Sequence, residues 1–197
     1  RDYAKDFATA AERGAIAAAA AYSRLSNCIL SHNPCRGNYL TSHMDYVINC
    51  TMIDNNGGQR TPRQVCAMLN CLSVDNAYDL FAYPGGGGSY VAAATNCITQ
   101  TTLTNCDCSD RIKTGCSVYQ VMSPASDDYR LLPTSDAIGY ADGTLLVERT
   151  SGLPEKYRYR DYLGNVIPTD GTPIHCGAVQ TVAATCDSGY LMLGTDV

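Results

Sequence analysis

Thr61-Pro62-Arg63-Gln64-Val65-Cys66-Ala67-Met68-Leu69-Asn70-Cys71-Leu72 is the stretch on which the reading of the fold turns. Thr61 followed three residues later by Gln64 matches a capping box, and Pro62 falls at the first helical position, where a missing N–H costs nothing. Val65, Met68, Leu69 and Leu72 recur at three- and four-residue intervals, so the stretch predicts a helix with those residues on its buried side. On such a helix Cys66 and Cys71 point about 140° apart around the axis and reach different partners.

Working outward, residues 2–26 predict one long helix. Tyr3, Phe7, Ala11, Gly14, Ala18, Tyr22 and Leu25 line one side, with Asp2, Lys5, Asp6, Thr9, Glu12 and Arg13 over much of the other. The small residues in its middle let another backbone come close, which makes Tyr3, Phe7, Gly14, Ala18 and Tyr22 the candidate self-association residues. Residues 27–39, with Pro34, Gly37 and Asn38, read as a connector. A second helix is expected from about residue 41, with Met44, Val47, Ile48 and Met52 on one face, ending at Asp54-Asn55-Asn56-Gly57-Gly58. That run lacks the alternation and the distant Glu of an EF-hand loop and reads as a turn.

Gly85 to Gly88 with Ser89 reads as a joint between a helical, cysteine-rich part (1–84) and a β-rich part (90–197). Beyond it, residues 90–94, 98–104, 117–122, 129–132, 144–150, 157–163, 178–185 and 190–193 carry the β-branched and aromatic residues that suit strands. Turns fall at Ala141-Asp142-Gly143, Leu163-Gly164-Asn165 and Thr169-Asp170-Gly171. Residues 137–166 predict an antiparallel meander. The expected fold is α+β, with an N-terminal helical part and a C-terminal antiparallel sheet.

Eleven cysteines stand in this chain, at Cys28, Cys35, Cys50, Cys66, Cys71, Cys97, Cys106, Cys108, Cys116, Cys176 and Cys186. A reducing compartment rarely uses so many, so they predict a disulfide framework and a secreted or surface location. An odd count leaves one unpaired or joined to another chain, and spacing does not fix the connectivity. The start at Arg1, without Met or an apolar segment, fits a mature form. Asn49-Cys50-Thr51 is a glycan acceptor triplet if the source is eukaryotic.

Signals for chemistry are sparse. Cys106-x-Cys108 followed by Cys116 lacks the second pair and the nearby His of a zinc site, so no metal is expected. No Cys-x-x-Cys-His run, nucleotide-binding glycine motif or Gly-x-Ser-x-Gly elbow is present, and no cofactor is expected. His32, His43 and His175 are scattered. The carboxylates Asp127-Asp128, and Asp136 with Asp142, leave a hydrolase open, because a glycosidase draws its two acids from anywhere in a chain. The net charge of −5 without a basic block excludes nucleic acid as a partner, and no apolar run is long enough to span a membrane. Fourteen tyrosines and no tryptophan suit a protein that works by contact. The alternation Lys156-Tyr157-Arg158-Tyr159-Arg160, continuing to Tyr162, is the candidate contact surface for a glycan or a protein.

The order of a long helix, a cysteine-bearing connector, an antiparallel sheet and a late Cys176–Cys186 pair resembles the globular part of type IV pilins and pseudopilins. The family's hydrophobic first half-helix with its Glu is absent here. The resemblance implies a filament subunit whose helix packs in the filament core. The expected function is therefore a secreted, disulfide-stabilised subunit of an extracellular filament or surface assembly, a homo-oligomer acting by self-association. The alternatives are a glycan- or protein-binding module and a hydrolase.

Overall fold

The deciding stretch is extended. In the computed structural model, which describes residues 16–17, 24–32, 41–55, 63–76, 91–100, 106–149 and 159–183, Arg63–Leu69 is a strand and Leu72–Val74 another. Asn70, between them, takes a left-handed backbone with φ 55°. The same unit recurs: β2 (Arg24–Ser26), Asn27, β3 (Ile29–Ser31); β4 (Thr41–Ile48), Asn49, β5 (Thr51–Ile53); β6 (Arg63–Leu69), Asn70, β7 (Leu72–Val74). In β8 (Val91–Thr99) and β9 (Cys106–Lys113) the strand runs through the corner, with Asn96 and Arg111 left-handed at φ 51°. β1 (Ile16–Ala17) adds a short piece beside β4.

Every pairing between these strands is parallel and in register from one unit to the next. Ser26 lies beside Ile48, Ile48 beside Leu69 and Leu69 beside Thr95; after the corner, Ile29 lies beside Thr51, Thr51 beside Leu72 and Leu72 beside Ile98. Successive units thus stack as coils of a parallel β-solenoid, each coil pairing with the one before and the one after. The corner asparagines carry the stacking through the bend. The N–H groups of Asn27, Asn49 and Asn70 donate forward to Ile48, Leu69 and Thr95, and those of Thr51, Leu72 and Ile98 donate back to Cys28, Cys50 and Cys71, all at 2.9–3.0 Å. Asn is the residue that tolerates a left-handed backbone best after glycine.

The corner also explains the side-chain pattern. Along a strand, positions two apart share a face, but one left-handed residue shifts the phase by one. Val47 and Cys50 therefore fall in one apolar cluster, as do Met68 with Cys71 and Ala94 with Cys97, joined by Leu30 and Met52. Ile48, Leu69, Leu72, Val74, Ile53 and Ile98 fall in the other cluster.

That second cluster is covered by residues 114–149 and 159–183. β10 (Val121–Ser123) and β11 (Asp128–Leu131) form an antiparallel hairpin closed by a 3-10 turn at Pro124–Ser126. β12 (Ala141–Asp142) pairs with β13 (Pro173–Ile174), and α1 (Thr144–Arg149) follows β12, with the Asp142 carboxylate accepting from the Thr144 N–H and hydroxyl at 2.8 Å each. Val121, Tyr129, Leu131, Leu146, Ile167, Ile174 and Val179 supply the apolar side of this cover. It is tied down at the corner column: Gly177 N–H donates to the Asn70 carbonyl (2.8 Å), the Asn70 amide to the Asp142 carbonyl (2.8 Å), Ala178 N–H to the Thr51 hydroxyl (2.9 Å) and the Cys176 thiol to the Asn96 carbonyl (2.9 Å).

The expected α+β fold is therefore overturned: the main sheet is parallel, and the helices expected at 2–26, 41–52 and 61–72 are, where described, strands and the Asn-Cys corners between them. A phase slip at each Asn makes apolar residues three apart share a face, which imitates a helical stripe. Thr144–Arg149, expected as a strand of a meander, is helical because Asp142 caps it. Gly85 to Ser89 lie outside the described residues; β6 and β8, before and after them, are neighbours in one sheet. The pilin-like layout does not describe this fold.

Candidate functional site

The cysteines turn out to be a structural column. Cys28, Cys50, Cys71 and Cys97 each follow a corner asparagine, and each thiol donates to the carbonyl two residues earlier, at Ser26, Ile48, Leu69 and Thr95 (3.1–3.4 Å). Cys71 and Cys97 also reach the coil before, at Val47 and Met68 (3.4 and 3.5 Å). None of these four, nor Cys116 or Cys176, is joined in a disulfide. The expected disulfide bonds are thereby corrected for these six, and the four of the column stand side by side on successive coils with their protons on backbone carbonyls. Burial pushes the Cys71 and Cys176 thiols up from their ordinary pKa, and the bond to Cys50 followed by burial does the same for Cys28. Such thiols are protonated and inert. With them reduced, the argument for secretion and a pilus-like, adhesive filament loses its footing. Cys66, Cys106 and Cys108 sit on strands, but their side chains, like Cys35 and Cys186, lie outside the described residues. Among the described residues no cluster of three or more His, Cys, Asp or Glu could hold a metal.

The carboxylates singled out for hydrolysis are each engaged elsewhere. Asp128 is bound by Arg130 through two bonds (2.9 and 2.7 Å), which hold its carboxyl below the usual range. Asp136 pairs with Lys113 at 2.5 Å, and Asp142 caps α1. Asn49, the acceptor of the glycan triplet, has its side chain fully buried in the corner column. Tyr3, Phe7, Gly14, Ala18 and Tyr22 lie outside the described residues.

One surface does bring polar and aromatic groups together, at the second bend of the coils. His32, Asp54 and Asp75 end their strands in left-handed conformations (φ 51–52°) and stack as the asparagines do. The neighbouring Asn55 and Asn76 lock this bend: Asn55 donates its amide to the Leu30 carbonyl (2.9 Å) and to Asn76 Oδ1 (2.7 Å), and Asn76 donates to the Met52 carbonyl (3.0 Å). His32 Nδ1 is 2.6 Å from Asp54 Oδ2, and Nε2 is 2.7 Å from the Pro124 carbonyl in the hairpin turn. Beside this pair, the Tyr129 phenol donates to Asp127 Oδ1 (3.1 Å), so the Ser31 hydroxyl must be the donor to Tyr129 (2.5 Å). Asp127 is exposed and left-handed at the end of the turn. Burial raises the pKa of Tyr129.

The fourth element is the loop 160–166. Arg160 and Val166 form an antiparallel bridge, and the buried Asp161 accepts from Asn165 N–H (2.7 Å), the Asn165 amide (2.9 Å) and Gln180 N–H (2.9 Å). Arg160 donates to the Gly164 carbonyl (2.7 Å) and Tyr162 N–H to the Ala178 carbonyl (2.7 Å). On this fixed backbone Tyr162, Leu163 and Val166 are 56%, 53% and 67% exposed. The loop is tied to the hairpin through Thr181, whose hydroxyl accepts from the Asn165 amide (3.1 Å) and whose carbonyl accepts from the Leu131 N–H (2.8 Å). Of the tyrosine run, Tyr159 packs against the core and Tyr157 lies outside the described residues.

The sequence reading named Tyr162 and Asp127 but not Ser31, Asp54 or Tyr129 as their partners. The overlooked signal was the repeated Asn-Cys pair at 27, 49, 70 and 96, followed by His32-Asn33, Asp54-Asn55 and Asp75-Asn76. No helix among the described residues is long and apolar enough to cross a membrane. Comparison with known protein families, curated proteins and solved structures finds no match.

Proposed function

We propose that this chain is a carbohydrate-binding contact module that uses the surface formed by Ser31, His32, Asp54, Asp127 and Tyr162. The observation that carries this reading is an exposed tyrosine on a loop that is fixed by a buried carboxylate and tied through Thr181 to the hairpin bearing the exposed Asp127. Sugars present apolar ring faces and a fringe of hydroxyls, and a tyrosine with neighbouring carboxylates answers both. A carboxylate offers about four acceptor positions, so Asp127 keeps room for sugar hydroxyls beside the Tyr129 bond.

Binding fits this surface better than hydrolysis. Asp54 is committed to His32 and Asp127 to Tyr129, and a glycosidase needs one acid free to protonate the leaving oxygen. A glycan array probed with the wild-type chain and with Tyr162→Ala tests the reading. The expected result is binding to a defined set of glycans, weakened roughly tenfold by the variant. Binding to no glycan, or equal binding by both proteins, would overturn it. Tyr162 is exposed, so the variant should fold normally.

A further inference from the structure

We propose that His32 is a pH-operated pin, fastening the hairpin of β10 and β11 to the first two coils and releasing it when the ring loses a proton. The assignment follows from the acceptors. The Pro124 carbonyl can only accept, and so can the Asp54 carboxylate when ionised, so a ring that bonds both at 2.7 and 2.6 Å carries hydrogen on both nitrogens. It is an imidazolium. A neutral ring has one N–H and can satisfy only one of the two.

The position of the ring makes this matter. His32 belongs to the first coil, Asp54 to the second and Pro124 to the turn that closes the hairpin, so one side chain joins three segments. The charged groups facing it are Asp54 from the second coil and Asp127 from the hairpin; Tyr129 stands alongside as a neutral phenol, and Asp128 is taken up by Arg130. The Pro124 carbonyl, and then Asp54 and Asp127, raise the pKa of His32 above its ordinary 6.5. A group whose pKa is raised by folding contributes fully below its unfolded value, and the contribution fades as pH climbs through the folded one. The pin therefore holds in mildly acidic solution and loosens as pH climbs through a midpoint above 6.5.

His175 is an internal contrast. Its Nδ1 accepts the Gly139 N–H at 3.0 Å, so it is neutral, and burial lowers its pKa. It titrates below 6.5 and cannot produce a release at a midpoint above that value.

Nitrogen-15 NMR of the histidine rings, with amide exchange across the hairpin, tests the pin. Both His32 nitrogens should carry protons at about pH 5, with a midpoint above 6.5. Protection of hairpin amides, corrected for the intrinsic effect of pH on exchange, should fall roughly tenfold across that midpoint while amides of β6 and β8 keep theirs. In His32→Gln the step should vanish. Asp54→Asn gives a second readout, because it keeps the Pro124 bond but removes the charge; its midpoint should move down. A midpoint at or below 6.5, hairpin protection indifferent to the titration, or an unmoved midpoint in Asp54→Asn would each overturn the proposal.

Discussion

The coils and their cover hold together by different means. In the coils one solution is repeated: a left-handed Asn, a Cys bonding two residues back, and backbone bonds to the coils on either side. In the cover, among the described residues, the contacts differ from place to place. Gln120, buried, accepts from the Ser135 hydroxyl and Asp136 N–H (2.8 Å each) and donates to the Ser117 carbonyl (2.9 Å), a set of bonds particular to that place in the chain. Repetition spreads stability over neighbouring coils, whereas single solutions concentrate it at particular side chains.

The sharpest attack on this contrast is at the point where the cover crosses the coils. Gly177 has φ +94°, and a Cβ there would stand 2.5 Å from Thr51 Oγ1 and 3.2 Å from Leu72 Cβ. Gly177→Ala should cost roughly 3 kcal/mol or more, from backbone strain and lost seating together. Chemical denaturation read by both Tyr fluorescence and circular dichroism should show the cover leaving before the coils. Coincident transitions at unchanged stability would mean the crossing is not the seam it appears from the geometry.

Within the coils, two positions of the same type should differ. Asn70 bonds Asp142 and accepts from the Asn96 amide at 3.1 Å, whereas the buried Asn49 amide has no hydrogen-bond partner among the described residues. Asn70→Ala should cost about 2–3 kcal/mol. Asn49→Ala should cost about 1–2 kcal/mol, the penalty of a left-handed alanine, and Asn49→Gly should be near neutral. Equal losses at both sites in thermal unfolding would show that the column is one uniform object.

The smallest effect is expected from the sulfurs. Cys71→Ala should cost about 1 kcal/mol, since a small buried group and a weak bond are lost. Thiol titration of the unfolded, unreduced protein should find at least the six free cysteines. A count near one would restore the cross-linked reading.

Legibility in the sequence followed the same division. The strands expected at 90–94 and 98–104 overlap the observed β8, but 144–150 was misread as a strand, and strand and helix were confused where the left-handed Asn shifts the alternation, as at Val65, Met68, Leu69 and Leu72. Reading the Asn-Cys pairs as a repeat would have removed the error, because a fixed left-handed corner and a stacked thiol need the same two residues in every coil. The cover offered no such shortcut. That Asp161 folds the loop beneath Tyr162, or that His32 meets Pro124 across 92 positions, depends on contacts that no local pattern announces.

The corner asparagines are 22, 21 and 26 positions apart, yet Leu69 still faces Thr95 and Leu72 still faces Ile98 across the longest interval. Alignment is thus set at the bends and is indifferent to how much chain lies between them. The interval between β7 and β8 is accordingly a natural place to graft foreign peptide, since the register on either side already holds across a longer stretch of chain than in the other units.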